Sequence, residues 1–340
     1  MKKQLLFLAV MMTSVMNPAK AQNEDYLFMI EHAIKAPSGH NTQPWKFKIN
    51  DHSIDIYPDY GKALPVVDPD NRELFVSLGC ATENLCVAAS VKGYRSEVSV
   101  ADDGVIHINL QRDTTITPSP LFPQIVLRQT NRTVYDGTII PSDSVSTLQA
   151  LKKEPSVDVR FFRNGSHEFN MIADLIFAGN SRQMDDKQFL TELKYWMRYN
   201  KRHSDDTQDG LSYAVFGAPN LPRFISQPVM GMFLNAKQQN KGDRKKVASA
   251  SHLVLFTTAD NTIPQWVALG RTLERYLLRM TAMNIAIGYM NQPNEVKDLA
   301  LTMTTALGLG SQYPTVLIRV GYGKRTPYSQ RRPVESVLLP

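Results

Sequence analysis

Cysteine is nearly missing from this 340-residue chain, and the two present, Cys80 and Cys86, do not read as a pair. Both fall in a strongly helical stretch, where six residues at ~1.5 Å each separate them by about 9 Å along the axis and turn them to different sides. That excludes an undistorted disulfide and leaves two small buried hydrophobes. The seven histidines show no metal-ligand spacing, so no metal site is expected. No cysteine sits near the leader, which argues against a lipid anchor, and no G-x-G-x-x-G stretch marks a dinucleotide fold. Helix-turn-helix, RNA-binding and zinc-finger patterns are also missing. The N-terminal apolar run, Leu5 to Met12, is too short to span a bilayer as an ordinary helix.

What that N-terminus does contain reads as a secretory signal. Lys2 and Lys3 precede the apolar run, and Ala19-Lys20-Ala21 forms a small-residue cleavage site, so export, to the periplasm, with cleavage after Ala21 is expected. An uncleaved anchor is the other reading. Residues 1–21 carry three lysines and no acid, so the formal charge falls from +6 to +3 on processing. That excess is too small for a nucleic-acid partner, whereas one anionic group such as a phosphate suffices. With 43% hydrophobic residues the chain can build a large core in one broad domain or in two halves.

The most informative stretch is Ala36 to Trp45, A-P-S-G-H-N-T-Q-P-W. Before it, Leu27, Ile30 and Ile34 recur with helical spacing, with Asn23 as the candidate cap. Pro37 disfavours helix at Ala36. Ser38, Gly39, His40, Asn41, Thr42 and Gln43 form a polar loop, and Trp45, Phe47 and Ile49 then alternate with lysines as a half-buried strand. Such a loop can hydrogen-bond the edge of a planar ligand. On residue types alone it reads equally as a capped turn.

Farther along, Arg128, Thr130 and Arg132 alternate in a short run whose two guanidiniums and hydroxyl could surround a phosphate. The plainer reading is surface arginines at a helix end. One internal repeat is visible: Phe75-Val76-Ser77-Leu78-Gly79 aligns with Trp266-Val267-Ala268-Leu269-Gly270 at an offset of 191 residues, and the register pairs Glu83 with Glu274. Both are long apolar helices with an internal glycine, a costly residue there that implies close packing. Strands are expected at Ser53–Tyr57, Glu97–Val100, Val157–Phe162, Leu253–Thr257 and Thr315–Val320. An Asp103-Gly104 hairpin should lead into Val105–Leu110. Helices are expected from Ser142 to Leu151, Ser166 to Phe177 and Asp185 to Tyr199. The class is α+β, helices against a largely antiparallel sheet. Between residues 202 and 244 the composition turns irregular, which reads as a lid or as a solvated insertion.

These stretches together resemble the nitroreductase family, in its Acg-type branch of two fused nitroreductase-like halves. The loop P-S-G-H-N-T-Q-P-W carries the resemblance, followed in order by V-D-P-D-N-R-E-L, L-R-Q-T-N-R, Y-M-N-Q-P and R-R-P-V-E-S-V. The span from Phe162 to Arg244 contributes nothing to it. The resemblance implies halves at 22–118 and 119–340, with the two central helices packed together, and hence a pseudo-dimer within one chain that could stand as a monomer. It implies FMN, with Pro37, Ser38, Gly39, Asn41 and Gln43 beside the ring and Arg128, Thr130, Arg132, Arg331 and Arg332 about the phosphate. Tyr289, Met290 and Asn291 would face the ring's other edge. Gln129 departs from the family's second arginine. Near the C-terminus, Arg331 is favoured slightly over Arg332 for the inward position. The first half has no phosphate-binding counterpart, so one flavin per chain is expected. The implied activity is two-electron transfer from NAD(P)H or another donor to a nitroaromatic or quinone-like acceptor, with the chemistry at flavin N5 and no catalytic side chain. His40 reads as structural. The alternative is a non-catalytic protein that stores FMN under a closed lid; a secreted module without cofactor leaves the ordered motifs unexplained.

Overall fold

The computed structural model describes residues 18–340, with side chains from Gln22 onward. Most of the expected leader therefore lies outside the described residues, and the expected cleavage point falls within the first turns of helix α1 (Pro18–Ala33). Asn23 sits inside that helix and is not its cap, because Ala19, Lys20 and Ala21 are strong helix formers that carry the helix upstream of it.

The first half continues through β1 (Trp45–Ile49), β2 (Ser53–Pro58), α2 (Arg72–Val91), β3 (Tyr94–Val100) and β4 (Ile106–Arg112). Its strands form one antiparallel sheet in the order β1-β2-β4-β3, with the Asp103-Gly104 turn closing the β3–β4 hairpin. Phe47, Ile54, Ile56, Ile106 and Ile108 are buried in the main core with α1 and α2.

The second half begins with α3 (Ser142–Gln149), β5 (Val157–Arg163), α4 (His167–Asp185) and α5 (Lys187–Trp196). Next come a two-residue parallel pair, β6 (Met197–Arg198) and β7 (Leu211–Ser212), around α6 (Lys201–Thr207), then α7 (Arg223–Met232) and α8 (Ala236–Ala248). It ends with β8 (His252–Thr258), α9 (Ile263–Ala282), β9 (Ala286–Tyr289), α10 (Gln292–Glu295), α11 (Lys297–Ala306) and β10 (Tyr313–Gly321). The second sheet is antiparallel in the order β5-β8-β10-β9. Strand β8 is buried on both faces: Val254 and Phe256 join the core that holds α9, whereas Leu253 and Leu255 join the cluster under α4 and α11. This explains its unbroken apolar run.

The duplicated helices meet at their glycines. A Cβ on Gly79 would lie 2.2 Å from the Val267 carbonyl oxygen, and one on Gly270 would lie 2.1 Å from that of Val76. Only glycine permits so close a backbone approach. Helix α2 is long and apolar enough by composition to cross a membrane, but it is buried between α1 and α9.

The halves are interleaved, not merely joined. Phe47 in β1 donates to the Val337 carbonyl at 2.8 Å and accepts from the Leu339 N–H at 2.7 Å, so the C-terminal tail completes the edge of the first sheet. The segment read as irregular between 202 and 244 is largely helical. Asn200 caps α6 and Asn235 caps α8, while Pro228 inside α7 and that helix's outward apolar residues disguise the pattern. Cys80 and Cys86 are both free.

Candidate functional site

The loop after α1 is a strained turn held from three sides. His40, Asn41 and Gln43 take φ values of 46°, 57° and 56°, the left-handed region that costs non-glycine residues of order 1 kcal/mol or more each. Within the loop, the Gln43 N–H donates to Ser38 Oγ at 3.0 Å. From the lid side, Gln43 Nε2 donates to the Gln208 carbonyl at 2.8 Å and Asn41 Nδ2 donates to that of Gly210 at 3.1 Å. The C-terminal strap supplies the rest. Arg331 Nη1 donates to Asn41 Oδ1 at 2.7 Å, and the Arg332 N–H donates to Gln43 Oε1 at 2.8 Å.

Asn41 and Gln43 are therefore clamps: both side chains are occupied by the lid and the strap. Arg332 is a positioning residue for Gln43, bonding its carbonyl through Nη2 as well. Arg331 reaches the Lys35 and Ala36 carbonyls at 3.2 and 3.1 Å, fixing the end of the α1 turn. Arg128 is likewise committed. Its Nη2 donates to the Lys35 carbonyl at 3.2 Å, and its Nε stands 3.5 Å from Glu274 Oε1. Burial pushes the Glu274 carboxyl up to about 7 against the opposing pull of Arg128. Burial and the neighbouring Arg128 charge bring Arg331 down to about 9.

Arg132 differs from all of these. Among the described residues it has neither an ion pair nor a hydrogen bond; its guanidinium lies 5.8 Å from the centre of the Phe216 ring, in the segment between 202 and 244. Burial, with Arg319 adding its charge, lowers it to about 10. His40, brought down to about 4 by burial and by Arg132, is neutral at physiological pH, and its Nδ1 has no partner. Tyr289, at the end of β9, is raised well above the ordinary phenol value by burial and sits close enough to Arg132 to affect it. Thr130 is half-buried in the same turn. Asn131 pins that turn: its N–H donates to the Ile287 carbonyl at 2.7 Å and its Nδ2 to that of Lys324 at 2.7 Å. Gln129, the departure from the arginine pattern, is tied both ways to the backbone of Thr326, at 3.0 and 2.6 Å.

Of the other expected ring contacts, Met290 faces the core under α4. Asn291 donates to Glu73 Oε1 at 3.0 Å and accepts from the Leu317 N–H at 2.8 Å. Gly39 is closely packed, since a Cβ there would stand 3.1 Å from Leu64 Cδ1 and 3.3 Å from Glu73 Oε2, two side-chain ends that would have to shift slightly. The sequence reading missed Glu73. It is half-buried and faces the Glu295 carboxyl, also half-buried, one oxygen of which is held by Gln183 Nε2. Two carboxyls in such contact cannot both ionise. Burial and Glu295 push Glu73 up to about 8, and Asp68 beside it rises to about 6, chiefly through burial. The only local signal was an acid in the first turn of a long apolar helix.

Among the described residues, Thr130, Arg132, Tyr289 and the His40 Nδ1 have no side-chain hydrogen-bond partner, and the residues around them are spent on holding the loop and the strap. A half-buried guanidinium with no anion beside it can still make charge-assisted hydrogen bonds, so this set fits a bound phosphate.

No family model matches the chain. A protein of Mycobacterium tuberculosis provisionally named an NAD(P)H nitroreductase is 27% identical over 305 residues, covering 85% of this chain and 83% of its own. A second from that organism, provisionally named NAD(P)H nitroreductase Acg, is 21% identical over 327 residues, covering 91% and 93%. Among solved structures, the FMN-dependent nitroreductase NfnB of Mycobacterium smegmatis in complex with NADPH aligns with a TM-score of 0.41 at 15% identity, over 63% of this chain and 94% of that one. The chain is thus similar, across most of its length, to proteins provisionally named NAD(P)H nitroreductases, Acg among them.

Proposed function

We propose that the chain is an FMN-binding flavoprotein and a two-electron oxidoreductase of the nitroreductase kind. It would take electrons from NAD(P)H or another donor and pass them to a small nitroaromatic or quinone-like acceptor. The observation that carries this reading is Arg132, a half-buried cation with no anion among the described residues. The names of the relatives, NAD(P)H nitroreductases, support the donor and the reaction class.

Arg132 and the Thr130 hydroxyl would hold the phosphate, while Tyr289, neutral His40 and the backbone at Ser38 and Gly39 would line the remainder. Bound FMN supplies the hydride chemistry at its N5. The chain's own residues bind, orient and exclude water: the Asn41 and Gln43 clamps fix the loop, Phe216 covers Arg132, and Glu73 with Glu295 keeps one proton beside Gly39. No nucleophile is required.

A second reading rests on the lid. Gln208 and Gly210 are hydrogen-bonded onto the loop itself, a closed arrangement suited to retaining a flavin without turnover. We also propose that the chain is exported, and N-terminal sequencing of the mature protein should then begin at Gln22. Purification tests the main reading: the protein should be yellow and release FMN on denaturation, and Arg132→Ala should lose the flavin without lowering the melting temperature. A colourless protein that ignores added FMN would sink both flavin readings. Anaerobic NADPH should bleach the oxidised-flavin band, and failure to bleach with every donor tried would leave storage.

A further inference from the structure

Helix α7 wears its amphipathic pattern inside out. Its buried residues are Ser226 and Met230, whereas Phe224 is 78% exposed and Met232 is 67% exposed. Ile225, Val229 and, just beyond the helix, Phe233 at 55% join them on the surface, as does Leu221 before it. A helix that covers a core turns its large apolar residues inward. A contiguous outward apolar surface marks a contact that the folded chain does not itself supply.

The adjoining helix gives the sign of the partner. Lys237, Lys241 and Lys245 recur every fourth residue along one face of α8, and all three are exposed. The single acid between residues 221 and 249, Asp243, is buried and paired with Lys246 at 2.9 Å, so nothing on this surface offsets the lysines. The two helices are locked together: Asn235 Nδ2 donates to the Met232 carbonyl at 2.9 Å and Gln239 Nε2 to that of Phe233 at 3.2 Å. Apolar ridge and cationic stripe therefore follow one another across a fixed turn.

We infer that α7 and the start of α8 dock on an anionic lipid surface, with Phe224, Met232 and Phe233 entering the headgroup boundary and the lysines meeting lipid phosphates. Outward aromatic and aliphatic residues beside a lysine stripe are the composition of an interfacial helix. A second copy of the chain fits less well, because a two-fold contact through this patch would bring the same lysines toward one another. The inference stands apart from the flavin reading, since none of these residues belongs to the pocket.

Co-sedimentation of the purified full chain with phosphatidylglycerol–phosphatidylcholine vesicles tests it. Binding is expected at low salt, with little binding to pure phosphatidylcholine, and salt should weaken it. The exposed triple variant Phe224→Ser, Met232→Ser, Phe233→Ser should partition about ten-fold less and melt at the same temperature. The variant Lys237→Glu, Lys241→Glu, Lys245→Glu should lose the preference for anionic vesicles. All variants share the same N-terminal segment, so their differences read α7 and α8 alone. Equal binding by wild type and both variants, no binding at low salt, or a dimer abolished by the serine substitutions would each overturn the proposal.

Discussion

Helices α2 and α9 are copies in outline and opposites in their buried charge. In the register that superposes their glycines, Glu83 of α2 corresponds to Glu274 of α9. Glu83 receives two hydrogen bonds from Arg275, both 2.9 Å, with Arg271 at 3.4 Å beside it. Glu274 has no exposed surface and no hydrogen bond; its one ion pair among the described residues is Arg128 at 3.5 Å, and its carboxyl sits at about 7. One copy of the acid is spent on the seam between the helices. The other keeps a titratable proton beside Arg128 and Arg331, at the flank of the pocket. A duplicated position can thus serve the fold in one half while the other half leaves it free to titrate.

The comparison breaks most completely where the copies touch. Gly79→Leu would drive a side chain into the α9 backbone, which has no flexible atoms to give way, and should cost about 4 kcal/mol or more. Urea titration or loss of soluble protein would register it, and a wild-type midpoint would refute the close crossing. Next, Glu83→Ala leaves Arg275 and Arg271 with Glu154 as their one remaining carboxylate and should cost about 2 kcal/mol in the same titration. A cost under about 1 kcal/mol would show that the pair is dispensable.

Glu274→Gln should have the smallest effect, within about 1 kcal/mol at neutral pH, because the native carboxyl is already partly protonated. Its signature is the pH profile. Glu274 and Glu73 rise from 4.5 unfolded to about 7 and about 8 folded, so the folded state holds their protons more tightly. Their contribution is complete below pH 4.5 and is lost as pH climbs through 7 and 8. The melting temperature should fall across that window, less steeply in Glu274→Gln and in Glu73→Gln. Unchanged slopes would show that these carboxyls are ionised throughout.

Much of this was legible in sequence where the signal is local. The alternation of Trp45, Phe47 and Ile49, the Asp103-Gly104 turn, the helix opening near Ser166 and the paired internal glycines all specify structure within a few residues. The pocket residues were named largely through resemblance, and their duties were not legible. Asn41 and Gln43 are polar loop residues in any reading, but the partners that occupy them lie at Gln208, Gly210, Arg331 and Arg332. No periodicity reports hydrogen bonds between segments so distant in the chain. The helices of the lid escaped for a different reason: α7 turns its apolar residues outward, and pattern reading assumes that they turn inward.

The strap formed by Gln330 to Leu339 carries a consequence for timing. Asn41 is bonded by Gln330 and Arg331, Gln43 by Arg332, and β1 by Val337 and Leu339. The loop thus emerges from the ribosome unsupported, with the sheet edge beside it open, because Arg331 follows Asn41 by 290 residues. Assembly of the pocket therefore waits on synthesis of the strap, and until then the nascent chain carries its ligand loop unfinished.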